Sequence, residues 1–193
     1  IIELEMITAD DNVGIVSISN NAPATFEFGL TTFTWKVSDD AGNISTIQQE
    51  VSLIDTTPPS MIIPGDIEIE AISYGTNIVD IGNANGFDNI QLQEVTNDAP
   101  EVFPLGQTVV TWTATDTSGN SSYDTQLVSV VDTTAPSILQ PEDIVVEATG
   151  LDDNIIELEM ITADDNVGIV SISNNAPATF EFGLTTFTWK VSD

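Results

Sequence analysis

The side chains with the greatest capacity for chemistry are carboxylates. The 193-residue sequence carries 31 Asp and Glu against two basic residues, Lys36 and Lys190, for a formal net charge of −29. Carboxylates and side-chain amides gather in three recurring clusters. The first is Asp10-Asp11-Asn12, which returns as Asp88-Asn89 and as Asp164-Asp165-Asn166. The second sets Asp39 with Asn43, and Asp116 with Asn120, across a Gly-containing turn. The third is Asp55 or Asp132 beside a Thr-Thr-Xaa-Pro stretch, with Asp66 and Glu70, or Asp143 and Glu147, close behind in sequence. Calcium takes about six to eight oxygens from carboxylates, amides and backbone and accepts irregular geometry, whereas magnesium demands a stricter octahedron. These residues are therefore the candidate metal ligands, and Ca²⁺ is the cofactor they would hold.

The same residues have a plainer use. Asp and Asn side chains bond their own backbone two or three residues on and so favour turns. Turn chemistry accounts for Asp39 with Asn43 and for Asp116 with Asn120. At Asp55 and Asp132, where one repeat passes into the next, a bound cation is the reading that also explains the neighbouring acids. Catalysis has little to work with: there is no His and no Cys, and neither an Arg clamp nor a Gly-rich phosphate loop is present. A carboxylate pair can cleave glycosides, but Asp10-Asp11 is Phe87-Asp88 in the second repeat, and adjacent residues tend to point apart. No enzyme is expected. So acidic a surface repels nucleic acid and anionic lipid, and no apolar run reaches the roughly 20 residues of a membrane span. With 41% hydrophobic residues, rich in Val, Ile, Thr and Phe, the chain can still bury a core.

The elements that must position these acids follow from an internal repeat. Residues 1–39 recur unchanged as 155–193, a period of 154. Half of that, 77, is also a period: Asp55-Thr56-Thr57-Pro58-Pro59 returns as Asp132-Thr133-Thr134-Ala135-Pro136, and Thr34-Trp35 as Thr111-Trp112. The expected organisation is A–B–A, with modules at 1–54, 55–131 and 132–193, and the sequence reads as a window on a longer array. Thr32–Ser38 alternates with Phe33, Trp35 and Val37 on one face, and Ile47, Val51 and Leu53 continue the alternation through Asp55. Ile15–Ser19, Asp66–Ala71 and Asn77–Ile81 also read as strands, with turns at Asp40–Asn43 and Asn85-Gly86. Several short strands in about 77 residues predict an all-β chain of tandem immunoglobulin-like Greek-key β-sandwiches. Trp35, Trp112 and Trp189 are expected as core anchors, with carbohydrate stacking the alternative.

The stretch Asp39-Asp40-Ala41-Gly42-Asn43, followed by alternating residues to Val51-Ser52-Leu53-Ile54-Asp55-Thr56-Thr57-Pro58-Pro59, resembles the end of a hyalin repeat, the HYR module, and Asp116–Pro136 fits the same pattern. The resemblance implies an immunoglobulin-like fold in extracellular, often adhesive proteins, and no catalysis. Members often carry a cysteine pair; the later position falls at Ile47 or Asp124 here, so no disulfide role carries over.

The function expected is a structural filament or stalk, its repeats meeting their neighbours and stiffened by calcium and by the prolines at the junctions. The alternative is a spacer that holds a distant binding domain of an adhesin. Strand donation between copies is a third reading, for which a window on a continuous array is the simpler explanation. The sequons Asn43-Ile44-Ser45 and Asn120-Ser121-Ser122 permit glycans at Asn43 and Asn120.

Overall fold

The computed structural model describes residues 2–193, and every regular element among them is a strand. Two compact units are present. One runs to Pro58 and takes in the turn Thr117–Asn120; the other comprises Pro59–Asp116 and Ser121–Asp193.

In the first unit, β1 (Ile15–Asn20), β2 (Gly29–Asp39) and β3 (Ile44–Leu53) form one antiparallel sheet in that order. The β2–β3 ladder runs unbroken from Gly29 opposite Leu53 to Ser38 opposite Ile44. Its turn needs a backbone that L side chains avoid, and Gly42 supplies it with φ near +84°. Alternation along β2 buries Phe33 and Trp35, and the Trp35 indole donates to Gln49 Oε1 at 2.7 Å. Ile47, expected on the apolar face, is 61% exposed; its counterpart one period on is Asp124, also exposed, so this position faces water in both repeats.

The second unit begins with the central repeat: β4 (Ser60–Ile62), β5 (Ile67–Glu70), β6 (Asn85–Phe87), β7 (Leu92–Asn97), β8 (Gly106–Asp116) and β9 (Ser121–Val131). They form an immunoglobulin-like pair of sheets, β5-β9-β8-β7 and β4-β6. Strand β5 lies parallel to β9; the other pairs are antiparallel. Val110, Trp112, Val128 and Val130 fill the core with Ala71 and Phe103. Two buried polar residues organise it. Gln126 accepts from the Trp112 indole at 3.1 Å and donates to the carbonyls of Gly65 (2.8 Å) and Ile81 (3.3 Å). Asn77 accepts from the Ile72 and Ser73 amides and donates to the Ser73 and Phe103 carbonyls.

Two expectations are corrected here. Asn77–Ile81 is not a strand beyond a single bridge from Asn77 to Phe103; the Asn77 side chain instead closes the preceding turn on the Ile72 and Ser73 backbone. Asn85-Gly86 is not a turn but lies within β6, with Gly86 opposite Met61. A Cβ on Gly86 would come within 2.7 Å of Val95 Cγ2 and 2.8 Å of Leu92 Cδ2, so the residue is small because strand packing requires it.

The third repeat continues the same unit with β10 (Ser137–Ile138), β11 (Ala163–Asp164), β12 (Ser171–Asn174) and β13 (Trp189–Ser192), paired β10-β11 and β12-β13. Asn154 repeats the Asn77 network, bonding Thr149, Gly150 and Phe180 backbone groups. Residues 144–147, the counterpart of β5, lie outside any strand and are exposed. In the central repeat β5 pairs with β9 alone, and the described residues include no third-repeat counterpart of β9. Trp189, expected in the core, is for the same reason only partly buried.

Candidate metal centre

Three carboxylates from three strand ends meet where the central repeat passes into the third. Asp132 follows β9, Asp165 follows β11 and Asp193 follows β13, and one oxygen of each lies within 4.8 Å of the others. Pairing of each strand with its neighbour fixes where these ends emerge. Asp132 and Asp165 are half-buried and Asp193 is exposed.

The two oxygens of Asp165 do different things. Oδ2 accepts from the amides of Val167 (2.9 Å) and Gly168 (3.0 Å), an ordinary Asp turn. Oδ1 is buried and has no hydrogen-bond partner. Asn166 donates from Nδ2 to the Ala71 carbonyl at 2.7 Å and to Asp132 Oδ1 at 3.3 Å, while its own Oδ1 is buried and unpartnered. The turn thus uses one oxygen of Asp165 and leaves the other open to a ligand.

Two carboxylates 4.8 Å apart repel by roughly 1 kcal/mol in a water-like dielectric and by about 3–4 kcal/mol at an effective dielectric of about 20. Three of them, with Asp165 Oδ1 and the neighbouring Asn166 Oδ1 out of water and lacking donors, form a site that a cation would stabilise. All the donors are oxygens, and their segments converge irregularly, which suits calcium better than magnesium. Asp132, Asp165, Asp193 and Asn166 are the residues that would hold it. Beside them a shallow depression of about 320 Å³ is lined by Thr134, Ala135, Ser137, Asp164, Asp165 and Asn166.

Glu70, at the end of β5, serves the junction in another way. Its carboxylate accepts from the Thr133 amide (2.9 Å), the Thr133 hydroxyl (2.7 Å) and the Thr134 hydroxyl (2.7 Å). The Thr133 hydroxyl and amide, then the Thr134 hydroxyl, lower its pKa from 4.5 to about 2. Glu70 ties β5 to the Thr-Thr linker.

The other candidates are distributed as follows. Asp88 and Asp116, 77 residues before Asp165 and Asp193, have carboxylate oxygens within 4.8 Å of each other. Asp88 Oδ2 accepts from the Ile90 and Gln91 amides, both at 2.8 Å, and its Oδ1 is buried without a partner; Asp116 is wholly buried. Asp39 is bonded by its own turn, accepting from the Asn43 amide (2.8 Å) and side chain (2.7 Å). The Asn43 side chain and then its amide hold the Asp39 carboxyl below its ordinary range. Asp11 accepts from the Val13 amide at 3.0 Å, and Asp10, Asn12 and Asn89 are exposed. Asp55 accepts from the Thr57 amide at 3.1 Å, and its carbonyl accepts from Asn120 Nδ2 at 3.2 Å. Asp66 accepts from the Leu127 amide at 2.9 Å at the opposite end of β5 from Glu70. Asp143 and Glu147 are exposed in the strandless stretch, and Asp164 is exposed in β11. Of the sequon residues Asn43 is exposed and Asn120 half-buried. Asp193 was not among the sequence candidates, although it lies 154 residues after Asp39 and the repeat carried that signal.

Residues 54–130 match the HYR domain family. Over those residues the chain is similar to HYR domains. The span of the HYR match, 77 residues, equals the repeat period. Two curated relatives align along nearly the whole sequence. Hyalin of Strongylocentrotus purpuratus is 35% identical over 205 residues, covering 96% of the chain and 17% of the relative. Hyalin of Lytechinus variegatus is 31% identical over 204 residues, covering 96% of the chain and 38% of the relative. The chain thus spans well under half the length of either. Among solved structures, protocadherin gamma B7 extracellular cadherin domains 1–4 match with a TM-score of 0.33 at 11% identity, covering 93% of the chain and 58% of that structure. The protocadherin gammaB7 EC3-6 cis-dimer matches at 0.29 and 13%, covering 91% and 60%. Both likenesses are too loose to bear on the central repeat or on any ligand.

Proposed function

We propose that the chain is a run of HYR-type repeats from an extracellular stalk or filament, in modules 1–54, 55–131 and 132–193, with calcium stiffening the passage between successive modules. The part played is structural, without catalysis. The observation that carries the reading is the meeting of Asp132, Asp165 and Asp193 within 4.8 Å, with Asp165 Oδ1 and Asn166 Oδ1 buried and unpartnered beside them. A cation there would tie the end of β9 to two loops of the following repeat. Pro136 in the same linker restricts the backbone further. Glu70, held by Thr133 and Thr134, gives the junction a second tie that needs no metal.

The test is a thermal melt of the full chain in calcium, in magnesium and with excess chelator. A cation that binds only the folded state adds about 3–4 kcal/mol at roughly 100–1,000 times its Kd. The reading expects melting to fall on chelation and to be restored by calcium but not by magnesium. An unchanged melt would leave the acids as turn residues and the proline linker and Glu70 as the sources of stiffness.

A further inference from the structure

The only basic side chains, Lys36 and Lys190, are 154 residues apart and hold the same place in the repeat. Strand pairing puts Lys36 in the middle of one face of the β1-β2-β3 sheet, beside Ser19 on β1 and Thr46 on β3. All three are exposed. Phe33 and Trp35 lie on the opposite, buried face of β2. Thr32 and Thr34 continue the outer face along β2, so the lysine stands among hydroxyls.

The corresponding face of the central repeat is composed differently. Thr113 takes the position of Lys36, with Thr96 beside it on β7 and Tyr123 on β9. Tyr123 stands where the first repeat has Thr46, Val109 where it has Thr32, and Leu127 where it has Glu50. Tyr123 is 69% exposed and Val109 60%. Strands β5, β9, β8 and β7 are all present in this sheet, so the exposure does not come from a missing neighbour. On β7 the same face carries an exposed carboxylate, Glu94, opposite Thr115, where the first repeat has Ser17.

A net charge of −29 sets copies of the chain against one another over most of their surface. We propose that these two faces are complementary, so that the Lys36 face of one copy docks on the Tyr123 face of a second copy. The Lys36 ammonium meets Glu94, and the methyl groups of Thr32, Thr34 and Thr46 cover Val109 and Tyr123. Sheets packed face to face lie about 10 Å apart, within reach of a lysine side chain. Like faces fit less well. Two Lys36 faces bring cations together, and two Tyr123 faces leave each Glu94 without a cation. Every copy carries a face of each kind, and the contact needs no metal.

The experiment follows association of the full 193-residue chain by sedimentation velocity, in excess chelator and at about 0.15 M salt, where general repulsion is screened beyond about 8 Å. The unsubstituted chain should associate as its concentration rises. Lys36→Glu combined with Lys190→Glu should weaken association by more than about tenfold, and so should Glu94→Lys. The second change separates contact from overall charge. It moves the net charge by +2, from −29 to −27, so repulsion alone would make that variant associate more tightly. Tyr123→Ser leaves the charge unaltered and should weaken association about fivefold or more. An equimolar mixture of the Lys36→Glu, Lys190→Glu chain with the Glu94→Lys chain restores opposite charges across the contact. It should associate as the unsubstituted chain does, which also shows that both variants are folded. No association of the unsubstituted chain, tighter association of Glu94→Lys, no effect of Tyr123→Ser, or no recovery in the mixture would overturn the proposal.

Discussion

The chain contains the same 39 residues twice, and the two copies do not look alike. In the first, Gly29–Asp39 is a full strand and Trp35 is 3% exposed. In the second, four residues are strand and Trp189 is only partly buried. The first copy has β3 beside it; the second does not. Strand propensity is identical by construction, so the difference is one of partners: a strand forms where a neighbour takes its hydrogen bonds and covers its apolar face. The comparison reverses at the acids. Asp11 holds one amide of its own turn, whereas Asp165 holds two and lies with Asp132 and Asp193. Here the second copy is the more complete, because β9 of the central repeat ends at Asp132 beside it.

Substitutions made in pairs turn this comparison into measurements. The largest difference is expected at the tryptophans. Trp35→Ala should cost about 3–5 kcal/mol, as for other fully buried aromatics, measured by denaturant unfolding followed with exchange at β2. Trp189→Ala should cost about half as much or less, since less of the ring is out of water. Equal costs would break the comparison. Next, Gln126→Ala removes one indole bond and two carbonyl bonds from a fully buried site, and about 3 kcal/mol of stability should go with it. Gln49→Ala, in a more exposed strand, should cost closer to about 1 kcal/mol. The two values can be read from one urea series. A third pair concerns the cation. Asp165→Asn preserves a turn acceptor but removes the charge, so it should abolish the calcium-dependent gain in melting temperature of the second unit. Asp11→Asn should leave that gain intact.

The smallest effect belongs to Glu70. Its pKa is about 2 folded against an ordinary 4.5. The stabilisation is therefore complete above about 4.5 and is lost as pH falls from there towards about 2, as the carboxylate takes up a proton that the unfolded chain binds more readily. Glu70→Gln should flatten that limb of the stability–pH curve, seen as a smaller loss of melting temperature between pH 5 and about 2. A limb of unchanged steepness would assign it to other acids.

These contrasts also mark what the sequence made legible. Thr32–Ser38 could be read as a strand because Phe33, Trp35 and Val37 alternate, and the 77-residue period gave the modular plan. Asn77–Ile81 carries a similar alternation, yet only Asn77 finds a strand-like partner, in a single bridge to Phe103. The roles of Gln126 and Asn77 are hidden in the sequence, since one polar residue in an apolar pattern does not announce its partners; the recurrence of Gln49 and Asn154 at the same phase is the available clue. The acids were visible as three separate clusters. Two of them supply Asp165 and Asp132, and Asp193 is the third-repeat counterpart of Asp39; that these three meet at a single point depends on where β9, β11 and β13 end in space, which spacing along the chain does not encode.

The most direct test of the junction is hydrogen exchange at the Val167 and Gly168 amides, which both donate to Asp165, in calcium and in chelator. A cation on Asp132, Asp165 and Asp193 holds this loop in place, so exchange at both amides should slow in calcium and return to the chelator rate in Asp165→Asn. Identical rates in calcium and chelator for the unsubstituted chain would contradict the proposed calcium centre.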